Sequence, residues 1–299
     1  MYRFVEAERD GECSVNKACA VLEVSRAAYY EWSKQEPSAR EREDQELTEK
    51  VRVIFKGSRQ TYGSPRVHGE LRRQGRRCSR KRVERLMRQQ GLQGRPPKRR
   101  RRTTIPDPEP PPELTDLIGR RFDPGELAVN SCWAGDITYV RTWEGWMYLA
   151  TVVDLASRRV VGWAMADHMR AELVCEALEM AIGRRRRRRE PGLIFHSDRG
   201  SQYTSQQFRE LLKKHQVRQS VSRPRQCWDN AVVEAFWSTL KVELVHRHGW
   251  ATRALARQAV FEWIEAFYNR QRLHSSLGYR TPAAYEADVT IGVRAAGAA

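Results

Sequence analysis

The sequence predicts an α/β core preceded by small all-helical units, and three observations carry that expectation. WAGDITYV (133–140) alternates and is rich in β-formers, while LIFHSD (193–198) is a short apolar run, so two strands should deliver Asp136 and Asp198. Val233, Trp237, Leu240 and Leu244 then repeat at helical spacing, which marks an amphipathic helix. Before residue 95 the chain instead shows helix caps and stops, and a proline-rich stretch separates that region from the strands.

Residues 1–40 form the first unit. Within it 14–34 read as two short helices, with Ser25 capping the helix Arg26–Trp32. If Glu23 in the turn takes a positive φ, a non-glycine there costs roughly 1 kcal/mol. Residues 1–50 hold 8 basic and 12 acidic side chains, so packing or docking competes with DNA contact as the role of this unit.

Residues 41–94 form a basic helical unit. Ser64-Pro65 gives an N-cap followed by proline at the first helical position, and that helix should run to about Gln74 before Gly75. Ser79 caps a second helix in which Val83, Leu86 and Met87 face inward, and Gly91 ends it. Arg80, Lys81, Arg82, Arg85 and Arg88 are left exposed. Two short helices with a tight connection are similar to a helix-turn-helix, with phosphate clamping favoured over base reading. Residues 51–102 carry 19 basic side chains against only Glu70 and Glu84, a balance of +17 that equals the net charge of the whole chain. Such a concentration is the electrostatic footprint of a DNA-contacting module, because solvated faces normally mix both signs.

Residues 95–125 make a linker. Lys98, Arg99, Arg100, Arg101 and Arg102 are a further basic run for DNA, and Pro106, Pro108, Pro110, Pro111 and Pro112 make a semi-rigid spacer. The core with its C-terminal helical extension follows at 126–288, and 289–299 is a tail. In the core, Asp154 reads as a turn residue. A helix is expected over Ala171–Ile182, then the run Arg184 to Arg189, then the strand Leu193–Ser197. That run reads either as a solvated loop or as a holder of flanking DNA. His196 shares the Asp198 face by strand alternation, and reads either as supporting the site or contacting DNA, or as simply packing. Asp229 or Asn230 caps the next helix, which places Glu234, Ser238 and Lys241 on a polar face away from the apolar stripe. Trp228, just before that cap, is a further candidate for contact with DNA.

Asp136 and Asp198 are 62 positions apart, and Asp198 and Glu234 are 36 apart, leaving 35 residues between them. Two strand-borne aspartates and a helix-borne glutamate in a strongly basic chain suit two-metal phosphoryl transfer on DNA. Two divalent ions about 3.5–4 Å apart can make one oxygen nucleophilic and stabilise another as it leaves. Mg²⁺ takes hard oxygen ligands and only a few carboxylates, so three acids suffice if the fold gathers them.

Composition excludes other classes. Mean hydropathy is −0.72, and no apolar run approaches 18 residues, so no membrane span is expected. The opening Met1-Tyr2-Arg3-Phe4-Val5-Glu6 is no signal peptide, and a cytoplasmic location is expected. Cys13, Cys19, Cys78, Cys132, Cys175 and Cys227 form no C-x-x-C pair, which disfavours a zinc site or disulfide framework.

The three acidic motifs are joined by AYYEW (28–32), TYGSPRVHGEL (61–71), KRVERLMRQQGL (81–92), VVDLASRRVVGW (152–163) and NRQRLHSSLGYRTPAAY (269–285). On these the chain resembles the second-frame (OrfB) transposases of the insertion-sequence-three family, relatives of retroviral integrases with a DD(35)E core. The resemblance implies an RNase H-like fold, a five-stranded mixed sheet flanked by helices in which the two aspartate strands are neighbours. It further implies that Asp136, Asp198 and Glu234 are catalytic metal ligands for two Mg²⁺, with Mn²⁺ as substitute. Lys241 matches a position contacting transposon-end DNA. The implied partners are double-stranded DNA, further copies of the chain assembled on it, and an upstream-frame (OrfA) product as fusion or partner. The implied chemistry is cleavage at transposon ends and joining of the freed 3′-hydroxyl. An RNase H-like nuclease or a non-catalytic DNA-binding relative is the alternative, and the complete acidic triad argues against the latter.

Overall fold

The computed structural model describes residues 1–10, 14–34, 37–96, 114–185, 192–223 and 230–296. The chain divides into two compact units, Met1–Arg52 and Val53–Ala299. In the first, α1 (Tyr2–Asp10), α2 (Val15–Val21) and α3 (Arg26–Ser33) enclose Val5, Ala18, Cys19 and Tyr29. Ser25 caps α3 as expected, accepting from the Ala28 amide at 3.4 Å. Glu23 does take a positive φ of 53°, so this turn carries the strain of a non-glycine. The Tyr29 hydroxyl donates to the Glu6 carboxylate and ties α3 to α1. A fourth helix, α4 (Ala39–Gly57), spans the boundary between the units.

The second unit begins with the basic hairpin, α5 (Ser64–Arg73) and α6 (Arg80–Gln89). Its N-cap is Gly63 rather than the expected Ser64, since Ser64 is already helical and Pro65 occupies the first turn. Ser79 caps α6 through the Arg82 amide at 3.2 Å, and Val83, Leu86 and Met87 are buried as the periodicity requires. Gly75 and Gly91 both take positive φ just past their helices.

The hairpin is seated on a segment two hundred residues away. The Tyr62 hydroxyl donates to the Gln271 carbonyl at 3.2 Å and accepts from the Leu273 amide at 2.7 Å. Arg66 Nε donates to the Leu273 carbonyl at 3.0 Å. A Cβ on Gly69 would stand 3.0 Å from the Tyr279 ring, so glycine permits this close approach. Aromatic and backbone contacts thus bind residues 61–69 to 271–279 within the second unit.

The sheet is built from β1 (Cys132–Thr142), β2 (Gly145–Asp154), β3 (Val160–Ala166), β4 (Ile194–Ser197) and β5 (Arg218–Val221). Among the described residues its order is β3-β2-β1-β4-β5, with β1–β3 an antiparallel meander and β4 and β5 parallel to β1. The predicted neighbours β1 and β4 do pair. Asp154 ends β2 and closes its turn, accepting from the Ala156 and Ser157 amides and from the Asn130 amide. Between β3 and β5 lie α7 (Ala171–Arg185), α8 (Ser201–Thr204) and α9 (Gln206–Lys214). Against the sheet they bury Trp133, Phe195, Leu178 and Phe208 in one apolar cluster.

The alternate positions Val140, Met147 and Leu149 are buried too, so both sheet faces are covered. Helices α10 (Ala231–Glu243) and α11 (Arg253–Glu262) pack against β1. A π-helical turn, Trp263–Tyr268, follows α11, and α12 (Pro282–Ala296) is the last helix.

The helix α7 runs three residues beyond the expected end at Ile182, because Arg184 and Arg185 find partners. Arg184 pairs with Glu265 at 2.7 Å and Arg185, itself buried, with Glu286 at 2.6 Å. Arg185 is thus buried in the protein, while Arg184 keeps an exposed side chain beside its ion pair. Arg186 to Arg189 lie outside the described residues. Strand β4 starts at Ile194, one residue later than expected.

Candidate active site

Asp136 and Asp198 reach the same height by register. The last paired residues of β1 and β4 are Ala134 opposite His196, and each aspartate lies two positions further along its parallel strand. Neighbouring strands run about 4.8 Å apart, so the two carboxylates meet at the C-terminal edge of β4. The β4 strand ends at Ser197, which releases Asp198 into a turn where its Oδ1 accepts from the Gly200 amide at 3.0 Å. Asp136 Oδ1 accepts from the Ile137 amide at 2.7 Å.

The helix α10 supplies the third acid. Asn230, Glu234 and Trp237 follow i, i+4, i+7 spacing along one side of it, and both outer members touch β1. Asn230 Nδ2 donates to the Gly135 carbonyl at 3.3 Å, and Trp237 Nε1 donates to Asp136 Oδ2 at 2.8 Å. Glu234 therefore opens onto the Asp136 carboxylate from an exposed position in the first helical turn. Asn230 occupies the N-cap position, but its side chain goes to β1 instead of capping the helix. Val233, Trp237, Leu240 and Leu244 are buried, as the apolar stripe predicted.

Charge repulsion shapes the site. Burial, followed by the negative charge of Asp198 and in lesser part that of Glu234, pushes the Asp136 carboxyl up to about 7. Burial also raises Asp198 above the usual carboxylate range. Tyr203, buried beneath them, has its phenol raised well above its ordinary value by burial and then by the same two aspartates. Acids gathered without a countercharge hold protons unless a cation replaces them. Their hard oxygen donors suit Mg²⁺ or Mn²⁺, which needs only a few carboxylates and completes its shell with water and phosphate. Among the described residues no three acidic, imidazole or thiol groups close into a ready-made metal cage.

The other predicted residues are dispersed. Lys241 sits on α10 with its ammonium 5.2 Å from the centre of the Tyr139 ring. On α6, Arg80, Lys81 and Arg88 are exposed, while Arg82 and Arg85 are half-buried rather than free-standing. Glu84 pairs with Arg88 at 3.2 Å. Lys98, Arg99, Arg100, Arg101, Arg102, Trp228 and Asp229 lie outside the described residues. His196 is fully buried, its ring nitrogens 2.8 Å from Ser220 Oγ and 3.2 Å from Ser222 Oγ, so it packs β4 against β5.

Sequence reasoning missed two residues. Trp237 was placed only on the buried stripe, although its indole N–H also holds Asp136. Tyr203 carried no local signal at all, since its position under the carboxylates depends on α8 folding back over β4.

Comparison with known proteins bears on this geometry. Residues 126–227 match the integrase core domain family, 215–282 match a second integrase core domain family, and 41–100 match an HTH-like domain family. The transposase InsF for insertion sequence IS3A of Escherichia coli K12 is 40% identical over 292 residues, covering 95% of this chain and 98% of that one. The chain belongs to the IS3 family of transposases. An uncharacterized 31 kDa protein of insertion element IS600 from Shigella sonnei is also 40% identical, over 267 residues, or 89% of this family member and 96% of that protein. Among solved structures, the HTLV-2 integrase catalytic core domain in complex with magnesium aligns at 18% identity and a TM-score of 0.42, covering 53% of this chain and 97% of that one. The core is thus of the integrase, RNase H-like kind, with an HTH-like region ahead of it.

Proposed function

We propose that this IS3-family member cleaves DNA at transposon ends and transfers the freed 3′-hydroxyl to another phosphodiester, with Asp136, Asp198 and Glu234 as ligands of divalent magnesium. The observation that carries this reading is the meeting of Asp136 and Asp198 at one sheet edge, faced by Glu234, with no basic group among the described residues lowering either aspartate. Binding DNA gains nothing from acids turned towards phosphates, whereas a cation held there answers both their repulsion and the substrate's charge. Bound by these carboxylates, Mg²⁺ would supply activation of the attacking water or hydroxyl and neutralisation of the leaving oxygen.

The protein's own groups prepare the site. The amides of Ile137 and Gly200 and the Trp237 indole fix three carboxylate oxygens, so little ordering remains when substrate arrives. One site can serve hydrolysis and joining in turn, because water and a 3′-hydroxyl are interchangeable nucleophiles. Arg80, Lys81, Arg82, Arg85 and Arg88, with Lys98–Arg102, are assigned to duplex phosphates, and Lys241 to DNA beside the carboxylates. Further copies of the chain on the DNA and an upstream-frame product belong to the same reading, as does a cytoplasmic setting at the nucleoid. No helix among the described residues is long and apolar enough to cross a membrane.

Asp136→Asn, Asp198→Asn and Glu234→Gln should each bring Mg²⁺-dependent cleavage and joining below detection while leaving DNA binding near that of the parent and the unfolding midpoint no lower. Amides keep the shape and lose the charge that holds the metal. Joining retained by any one variant removes that residue from the site. Hydrolysis without joining by the parent protein would make the enzyme a nuclease.

A further inference from the structure

The turn between β1 and β2 holds aromatic side chains out into solvent in a way that neither the core nor the carboxylates explain. Trp143 is 81% exposed, Tyr139 55% and Trp146 45%. Aromatic side chains bury roughly 150–250 Å² each in cores and interfaces, so three left open on one β-hairpin mark a surface that meets something. The Tyr139 and Trp146 rings meet edge to face, 5.0 Å apart. The Lys241 ammonium stands 5.2 Å from the Tyr139 ring centre and the Arg141 guanidinium 6.0 Å from that of Trp146.

The backbone under these rings is braced. The Trp143 amide donates to the Trp250 carbonyl at 2.9 Å, and Thr142 Oγ1 donates to the Gly145 carbonyl at 2.7 Å. From α11, the Arg253 amide donates to Glu144 at 2.8 Å and Arg253 Nε to the Trp146 carbonyl at 3.0 Å. A tip held this way loses little freedom on binding, and rigid aromatics on a fixed loop make strong contacts.

We propose that Tyr139, Trp143 and Trp146 form a stacking platform for unpaired nucleotides of the DNA substrate, with Arg141 and Lys241 beside them for the adjoining phosphates. Duplex phosphates would call for cations alone. Exposed aromatic rings flanked by cations suit bases with their phosphates, and bases present their faces only where the strands are parted or frayed. Tyr139 lies three residues beyond Asp136 on one strand, roughly 10 Å at 3.3 Å per residue. Lys241 lies seven residues beyond Glu234 on one helix, about 10 Å at 1.5 Å per residue. By strand alternation Tyr139 leaves β1 on the face opposite to Asp136, so with bases about 3.4 Å apart along a strand the platform lies at least some three nucleotides from the carboxylates. Trp143 lies four residues further on. The proposal deepens the strand-transfer reading by naming separated DNA near the cut as what the site receives.

The test uses the full chain in EDTA, so no chemistry intervenes. Two fluorescein-labelled probes are titrated, an oligothymidylate of about 12 nucleotides, within usual site sizes, and a blunt duplex. Trp143→Ala and Trp146→Ala should each weaken oligothymidylate binding about 5–150-fold, the range of one lost base stack, and leave the duplex unchanged. Trp143→Phe, which keeps a ring, should recover most of the loss. Equal loss on both probes, or no loss on either, overturns the proposal. So does a change in sedimentation with oligothymidylate affinity intact, which would make the tip a contact between copies. These side chains are exposed, so unchanged circular dichroism and unfolding midpoints will show that the fold is preserved. If instead the parent protein hydrolyses transposon ends and joins none, the strand-transfer reading falls while the stacking result stands on its own.

Discussion

The two ends of α10 treat buried acid in opposite ways. At its start, Asp136 and Asp198 repel one another, faced by Glu234, and the main groups offsetting their charge are N–H donors. At its end, nine residues beyond Glu234, Glu243 is 3% exposed and receives Arg272 through contacts of 2.8 and 3.0 Å. Burial, then the positive charges of Arg272, Arg66 and Arg158, lowers the neighbouring His274 well below its ordinary value and keeps it neutral. One end is a finished scaffold, complete within the chain. The other gathers acids with no cationic partner among the described residues, and that contrast separates the proposed metal centre from a structural salt bridge.

The largest test breaks the finished end. Arg272→Met leaves Glu243 buried and unpaired, which should cost about 3–5 kcal/mol. At about 2–4 °C per kcal/mol for a unit of this size, the midpoint should drop by roughly 6–20 °C. Adding Glu243→Leu should recover most of the loss, since the uncompensated charge goes with it. If urea and thermal unfolding show Arg272→Met to be neutral, Glu243 is solvated and the contrast disappears.

At the unfinished end the expected signature is pH dependence. Asp136 is held near 7 in the folded protein against an ordinary 3.8, so the folded state binds its proton more tightly than the unfolded chain. The stability it contributes is complete below its unfolded value and is lost as pH rises through the folded one. Without metal, the midpoint should fall between about pH 5 and about pH 8, and Asp136→Asn should flatten that fall. Superimposable profiles for parent and variant would remove Asp136 as the titrating group. Mg²⁺ should raise the midpoint at the upper pH for the parent alone.

A smaller change sharpens the comparison. Trp237→Phe removes the N–H donor from Asp136 while keeping an apolar ring, and should weaken Mg²⁺ binding about 10–100-fold. Joining rates measured across Mg²⁺ concentrations should recover at saturation. A lower plateau with unchanged metal dependence would assign Trp237 to packing alone. The mildest effect concerns α6. Because the hairpin is docked on residues 271–279, point changes probe it better than truncation. Arg80→Ser, Lys81→Ser and Arg88→Ser should each reduce the log–log salt dependence of duplex binding by up to about 0.9, with unfolding unaffected. An unchanged slope would move the duplex contact elsewhere.

What was legible in the sequence is what local pattern encodes. Period-two alternation announced the strand carrying Asp136, and 3.6 periodicity announced the buried stripe of α10. Ser25 and Ser79 announced their helices through cap chemistry. The pairing of Asp136 with Asp198 came from resemblance, since no local pattern says which strands are neighbours. The indole of Trp237, the seat of Tyr203 and the docking of Tyr62 on Leu273 were not legible, because each joins residues from elements that no periodicity links. The extension of α7 to Arg185 was not legible for a related reason: a like-charge run calls for solvent until Glu265 and Glu286, far along the chain, supply partners for Arg184 and Arg185.

The Tyr62 hydroxyl has a consequence for how the protein is made. Its bond to the Leu273 amide spans 211 residues. At synthesis rates of 5–20 residues per second, roughly 10–40 s pass between the appearance of the tyrosine and of its partner. During that interval the basic helices emerge without their seat, while the sheet behind them is still being translated. A nascent chain can therefore present its positive face before its catalytic core exists, and a product that stops short of residue 271 never seats that face at all. Tyr62, Arg66 and Gly69 all wait on the same late segment, residues 271–279.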